Sequence, residues 1–173
     1  MPVIRTTATS FSPTGEERTG LVDQLVRELT GVTGSGEPLI FEISLDQMDR
    51  IDVLVIWSLW ERIRSEVRSN IIVEAYQSAG RAGDIAQAMG VTPPEALEQQ
   101  ILPYAVVPMA HPGEISSDVL RKAMLKEGAL QMPNGTVELR LPTMTLAEQA
   151  HRRLVNELPK GYWSIVQQVG SIP

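Results

Sequence analysis

The 173-residue chain contains no cysteine, only two histidines, and few aromatic residues, 5% of the total. Without thiols there are no disulfides, no thiolate nucleophile and no cysteine-ligated zinc or iron–sulfur centre. The scarcity of aromatic rings requires an aliphatic core. Apolar runs such as Val53 to Trp57 are far too short to span a bilayer. Met1 to Ser10 holds one arginine and no apolar segment of the secretory kind. The chain is therefore read as cytoplasmic, with no membrane partner. A formal net charge of −6 works against general attraction to nucleic acid or anionic lipid.

What is present is ordinary globular material. Apolar residues make up 43% and charged residues 21%, which is the balance of a folded chain. A chain this long buries most of the surface its unfolded form exposes. No repeat or low-complexity tract occurs. One compact domain, 1–173, is expected. If it divides, the turn Ala110 to Ile115 is the place, giving 1–110 and 116–173.

Periodicity and caps supply the elements. Val3 to Thr9 reads as a strand. Thr14 and Glu17 form a capping box, opening a helix with Leu21, Val22, Leu25, Val26 and Leu29 on one stripe. Gly31 ends it, and Gly34 to Gly36 form a loop. Leu39 to Ile43 and Asp52 to Trp57 are strands; the second lacks polar alternation and should be central. Ser65 to Ala79 is a helix with Val67, Ile71, Ile72, Ala75 and Tyr76 inward. Asp84 to Met89 reads as a short helix ended by Gly90, and Thr92 to Glu95 as a cap for another.

Beyond Pro103, Tyr104 to Val107 reads as a strand. Ser116 or Ser117 starts a helix burying Val119, Leu120, Ala123 and Met124. Asn134-Gly135 signals a hairpin, and Thr136 to Leu141 alternates as a strand. Thr145 with Glu148 is read as a third capping box, ahead of Leu146, Ala150 and Leu154. Tyr162 to Val169 is the last strand. Together these give an α+β fold: a mixed sheet of about five to seven strands packed against helices.

The chemistry-bearing residues are scattered. His111 follows a strand, where catalytic loops often sit, and is the sole candidate for a general base. His151, beside Arg152 and Arg153, reads as the solvated side of a helix. No histidine has a metal-ligand neighbour at H-x-x-x-H spacing, so neither a metal nor a cofactor is expected. Gly34-Ser35-Gly36 follows a helix and precedes a strand, the reverse of a nucleophile elbow or phosphate loop. The acid pairs Asp46 with Asp49 and Glu16 with Glu17 are ordinary features of an acidic surface.

Two stretches suggest nucleic acid instead. Arg62, Arg64 and Arg68 cluster near Trp57 and Trp60, a combination that can hold phosphate and stack bases, with Arg81 as a further cation. Glu61 and Glu66 are interleaved with them. Ile85 to Thr92 resembles the first helix and turn of a helix-turn-helix unit, which would make 93–101 the recognition helix. That helix carries two glutamates and neither lysine nor arginine. A broader likeness is one of order: helix, strand, strand, helix, with Val53 to Ile56, Trp60-Glu61, Arg68 and Ile72. It looks like the BolA-like, KH-related arrangement over less than half of the chain. That family comprises small regulators that bind nucleic acid or share an iron–sulfur cluster with a glutaredoxin. Ser69 and Asn70 stand after Arg68 where its helix has histidine, so the chain is not assigned to it.

The sequence thus favours a non-catalytic interaction or small-ligand-binding protein, partnered with itself as a homo-oligomer or with another protein. Trp57, Trp60, Tyr162 and Trp163 are its expected contact residues. The alternatives are an enzyme that uses His111 with nearby carboxylates, and a nucleic-acid regulator that uses Arg62, Arg64 and Arg68 or segment 85–101.

Overall fold

A computed structural model describes residues 12–31, 37–45, 47–109, 115–132, 134–158 and 162–167. The expected strand at 3–9, the loop at 34–36, Asp46 and His111 lie outside these. The fold is mixed α+β. Among the described residues it has five α-helices and seven strands. The strands form two sheets, of three and four strands, where a single sheet was expected. The chain packs as two compact units, Met1–Thr92 and Pro93–Pro173.

The first unit runs α1 (Gly15–Leu29), β1 (Leu39–Ser44), β2 (Ile51–Ile56), α2 (Ser65–Ser78) and β3 (Ile85–Val91). The Thr14–Glu17 capping box is formed at both ends, and Val22 and Leu25 of the predicted stripe are buried. Sheet order is β1-β2-β3, with β2 central as its uninterrupted apolar run implies. β1 pairs with β2 antiparallel, and β3 pairs with β2 parallel. The core gathers Val22 and Leu25 from α1, Val53 and Val55 from β2, and Ile71, Ile72, Ala75 and Tyr76 from α2. The order helix, strand, strand, helix is the one noted in the sequence, and β3 closes it.

Segment 85–91 is a strand, not a helix, which removes the helix-turn-helix reading. Its alanines, glutamine and methionine favour a helix locally, but pairing with β2 from Ile51 to Ile56 outweighs that weak preference. Gly90 does not end a helix. It lets the strand pass close to α2: a Cβ there would lie 2.9 Å from Arg68 Cβ and 3.1 Å from the Trp60 indole.

The second unit runs α3 (Pro93–Glu98), β4 (Tyr104–Met109), α4 (Ser117–Lys126), β5 (Leu130–Gln131), β6 (Val137–Leu141), α5 (Met144–Glu157) and β7 (Tyr162–Gln167). Its strands lie in the order β5-β6-β4-β7, all antiparallel. The Asn134-Gly135 signal makes the β5–β6 turn. Gly135 has φ +82°, and Asn134 Oδ1 accepts from the Thr136 amide at 3.0 Å. Two local expectations shift. Ser116 caps α4 as expected, but Val119 points outward and is exposed, leaving Ala123 and Met124 as that helix's buried residues. The cap of α5 is Thr143, whose hydroxyl accepts from the Leu146 amide at 3.3 Å, and not Thr145. The helix therefore begins two residues earlier than that cap would place it, with Ala147, Ala150 and Leu154 on its buried side.

Candidate functional site

The predicted contact residues divide sharply. Trp57 and Trp60 lie in the core of the first unit, edge to face with ring centroids 5.1 Å apart. The Trp60 indole N–H donates to Val55 O at 3.3 Å. They turn the chain out of β2 and offer nothing to a partner. Arg68 is 7% exposed. Its Nε donates to Ile63 O at 2.6 Å and its Nη1 to Gly90 O at 3.1 Å, binding α2 to β3. Arg62 is exposed in a turn with φ +72°, and Arg64 precedes α2 as its N-cap residue.

Arg81 belongs to a polar latch. Its Nη1 and Nη2 donate to the two Glu42 carboxylate oxygens at 2.8 and 3.0 Å, a bidentate pair. The Tyr76 hydroxyl donates to Glu42 Oε1 at 2.7 Å, and the Arg81 guanidinium lies 5.3 Å from the Tyr76 ring centre. The hydrogen bond from Arg81 holds the Glu42 carboxyl below its ordinary range, against the opposing effect of burial. Burial, then the bond to Glu42, push the Tyr76 hydroxyl up. The four basic residues therefore do not form one free positive surface: Arg68 is buried and Arg81 is paired. The latch ties edge strand β1 to the end of α2, and its groups satisfy one another. Sequence spacing gave no sign of it, since Glu42 and Arg81 meet only through the fold.

Tyr162 and Trp163 go to opposite sides of β7, as neighbours in a strand must. Trp163 is buried; its indole N–H has no hydrogen-bond partner among the described residues. His151 is not on a solvated face as expected. Its Nε2 lies 3.0 Å from Trp163 O, so that nitrogen carries the proton and fastens α5 to β7.

Register then defines the two faces of this sheet. Val106 lies opposite Leu139 and Ile165, and Pro108 opposite Trp163. This face carries the buried side chains Val106, Leu139, Leu141 and Trp163, and α4 and α5 pack against these strands. On the reverse face Ala105 opposes Val166, Val107 opposes Ser164 and Met109 opposes Tyr162. Here Met109 is 57% exposed, Tyr162 58% and Val166 42%. Met109 and Tyr162 thus stand together, exposed, at one end of this face, and Val166 is exposed four residues along β7, opposite the buried Ala105. Of these, the sequence pointed to Tyr162 alone. Met109 and Val166 were legible only as members of strands, because which face a strand buries depends on where the helices pack.

The edge strand runs along this side of the sheet. β7 reads Tyr-Trp-Ser-Ile-Val-Gln, six residues without a charge or a proline. Edge strands are usually protected by charge, proline or shortness. The other edge of the sheet, β5, is two residues long. In the first unit's sheet, β1 carries Glu42. On β3 three carbonyls accept from side chains: Ile85 from Arg50, Ala88 from Ser69, and Gly90 from Arg68. Among the described residues β7 is paired to β4 alone, and its Trp163 carbonyl is engaged by His151 as those of β3 are by their side chains.

Among the described residues there is no group of three or more His, Cys, Asp or Glu side chains fit to hold a metal ion. None of their helices is long and apolar enough to cross a membrane. No protein-family model, curated protein or solved structure matches the chain.

Proposed function

We propose that the protein is a non-catalytic interaction module, and that its contact surface is the β4–β7 side of the second unit's sheet. The partner it suits is another protein that presents an uncharged strand to the β7 edge, with apolar side chains for Met109, Tyr162 and Val166. One observation carries this reading: three exposed apolar side chains lie on the same face, beside an edge strand with no protective charge. Apolar area of this kind gains free energy when covered, and an open strand edge supplies directional backbone donors and acceptors. Homo-oligomerisation belongs to the same reading and rests on this surface, and a cytoplasmic setting rests on composition alone.

The test is positional. A photoreactive amino acid is placed at Val166, and separately at Gln149, an exposed position on α5, and each protein is irradiated in living cells. Position 166 should give discrete cross-linked species that disappear when Met109 is also changed to aspartate. Equal labelling from 149 and 166, or none from 166, would remove the interaction reading.

A further inference from the structure

Asn134-Gly135 shapes the β5–β6 turn, and the contact surface makes no use of it. We propose that Asn134 is a modification site: it deamidates through a cyclic imide, a reaction that the closed turn restrains and that opening of the hairpin releases. The inference is independent of the interaction reading.

The chemistry follows from the dipeptide. The backbone nitrogen of Gly135 attacks the side-chain carbonyl carbon of Asn134, Cγ. A bond from that nitrogen to Cγ forms and the bond from Cγ to Nδ2 breaks. Nδ2 leaves as ammonia, taking the proton that the Gly135 nitrogen gives up through solvent. Water then opens the imide at either carbonyl, leaving aspartate or isoaspartate. Nothing is oxidised or reduced, and water is the only co-reactant. Glycine leaves the approach uncrowded because it has no Cβ. The other asparagines are poorer substrates: Asn70 lies within α2 ahead of Ile71, and Asn156 within α5 ahead of Glu157.

Both reacting groups are tied down in the fold. The Gly135 N–H donates to Met132 O at 2.9 Å, which engages the proton that must leave and fixes the plane of the nucleophile. Asn134 Oδ1 accepts from the Thr136 amide at 3.0 Å and from the Thr136 hydroxyl at 2.6 Å, so two donors hold the electrophile. The Met132 N–H closes the turn on Thr136 O at 2.8 Å. Ring closure has to give up this arrangement. Residues 134–136 are exposed, so water and base reach them. β5 is only two residues long, and a short exposed hairpin opens locally more readily than a core strand.

The product differs from the parent in two ways. Either acid adds a negative charge to a chain already at −6. Isoaspartate also lengthens the backbone inside the turn, so the bonds from Gly135 and Met132 no longer close and the pairing of β5 with β6 is lost. The modification therefore records hairpin opening irreversibly.

The full-length protein and Thr136→Val, which loses the hydroxyl and keeps the amide, are incubated in neutral buffer with and without urea. Peptide mass spectrometry locates the deamidated residue, and enzymatic methyl transfer counts isoaspartate. Deamidation should appear at Asn134 ahead of Asn70 and Asn156. In buffer Thr136→Val should react about fivefold faster than the parent, the worth of one lost hydrogen bond. In urea the two proteins should react at one common rate, above that of the folded parent. A parent that reacts as fast folded as in urea would overturn the restraint by the turn. So would a folded Thr136→Val protein no faster than the parent, with circular dichroism verifying the fold. Reaction at Asn70 or Asn156 as fast as at Asn134 would overturn the site itself.

Discussion

Residue 90 illustrates how one atom can decide a local structure. Glycine after a run of alanine, glutamine and methionine has the appearance of a helix terminator. In the fold it is the point where β3 passes under Trp60 and the stem of Arg68. Neither neighbour is free to withdraw: Trp60 is buried, and Arg68 is held by Ile63 O and Gly90 O. Gly90→Ala should therefore destabilise the protein by about 1–3 kcal/mol, the usual cost of overpacking a tight core. Chemical denaturation measures it. A variant as stable as the parent would mean that the strand does not approach α2 so closely. Arg62, in contrast, adopts a left-handed conformation in a turn where the sequence shows only an arginine between Glu61 and Ile63. Nothing in its neighbours signals that conformation.

At the level of elements, periodicity was a good guide wherever a segment's own pattern matched its burial. The α1 stripe, the inward face of α2 and the alternation of β6 all correspond to what the fold buries. Prediction failed where two similar signals competed. Thr143 and Thr145 both precede the apolar stripe of α5, and only packing chooses between them. Thr143→Ala should cost about 1 kcal/mol, because it leaves the Leu146 amide without its acceptor. Thr145→Ala, at an exposed position inside the helix, should have almost no effect. Thermal melting of the two variants separates the caps, and equal losses would contradict the helix start at Met144. The contact surface shows the same limit. β7 could be read as a strand, but its outward side was fixed only when Trp163 turned toward the helices.

For the molecule as a whole, stability should respond to pH through the Glu42–Tyr76–Arg81 latch. In the folded state Glu42 titrates below the ordinary carboxylate range, chiefly because of the Arg81 hydrogen bond. Its contribution is therefore present above that range and is lost as pH falls through the lowered value. Tyr76 is shifted upward, chiefly by burial. Its contribution holds below about pH 10, where unfolded tyrosine ionises, and declines as pH rises beyond that. Urea midpoints should describe a plateau with a fall on each side. Glu42→Gln should flatten the acid side and Tyr76→Phe the alkaline side. Slopes unchanged by both substitutions would show that the latch does not couple to folding. The latch joins residues 34 and 39 positions apart, so no local motif marks it.

The sequence by itself determined the fold class, the helix-forming stripes, the central place of β2 and the hairpin at Asn134-Gly135. Each depends on short-range periodicity or turn chemistry, which a single chain displays directly. Tertiary structure decided that 85–91 is a strand, that the tryptophans are internal, that Arg68 and Arg81 are engaged, and that Met109, Tyr162 and Val166 share an open face. These outcomes come from contacts between distant segments, whose energies outweigh local preferences of a few tenths of a kcal/mol per residue. No spacing along the chain records them.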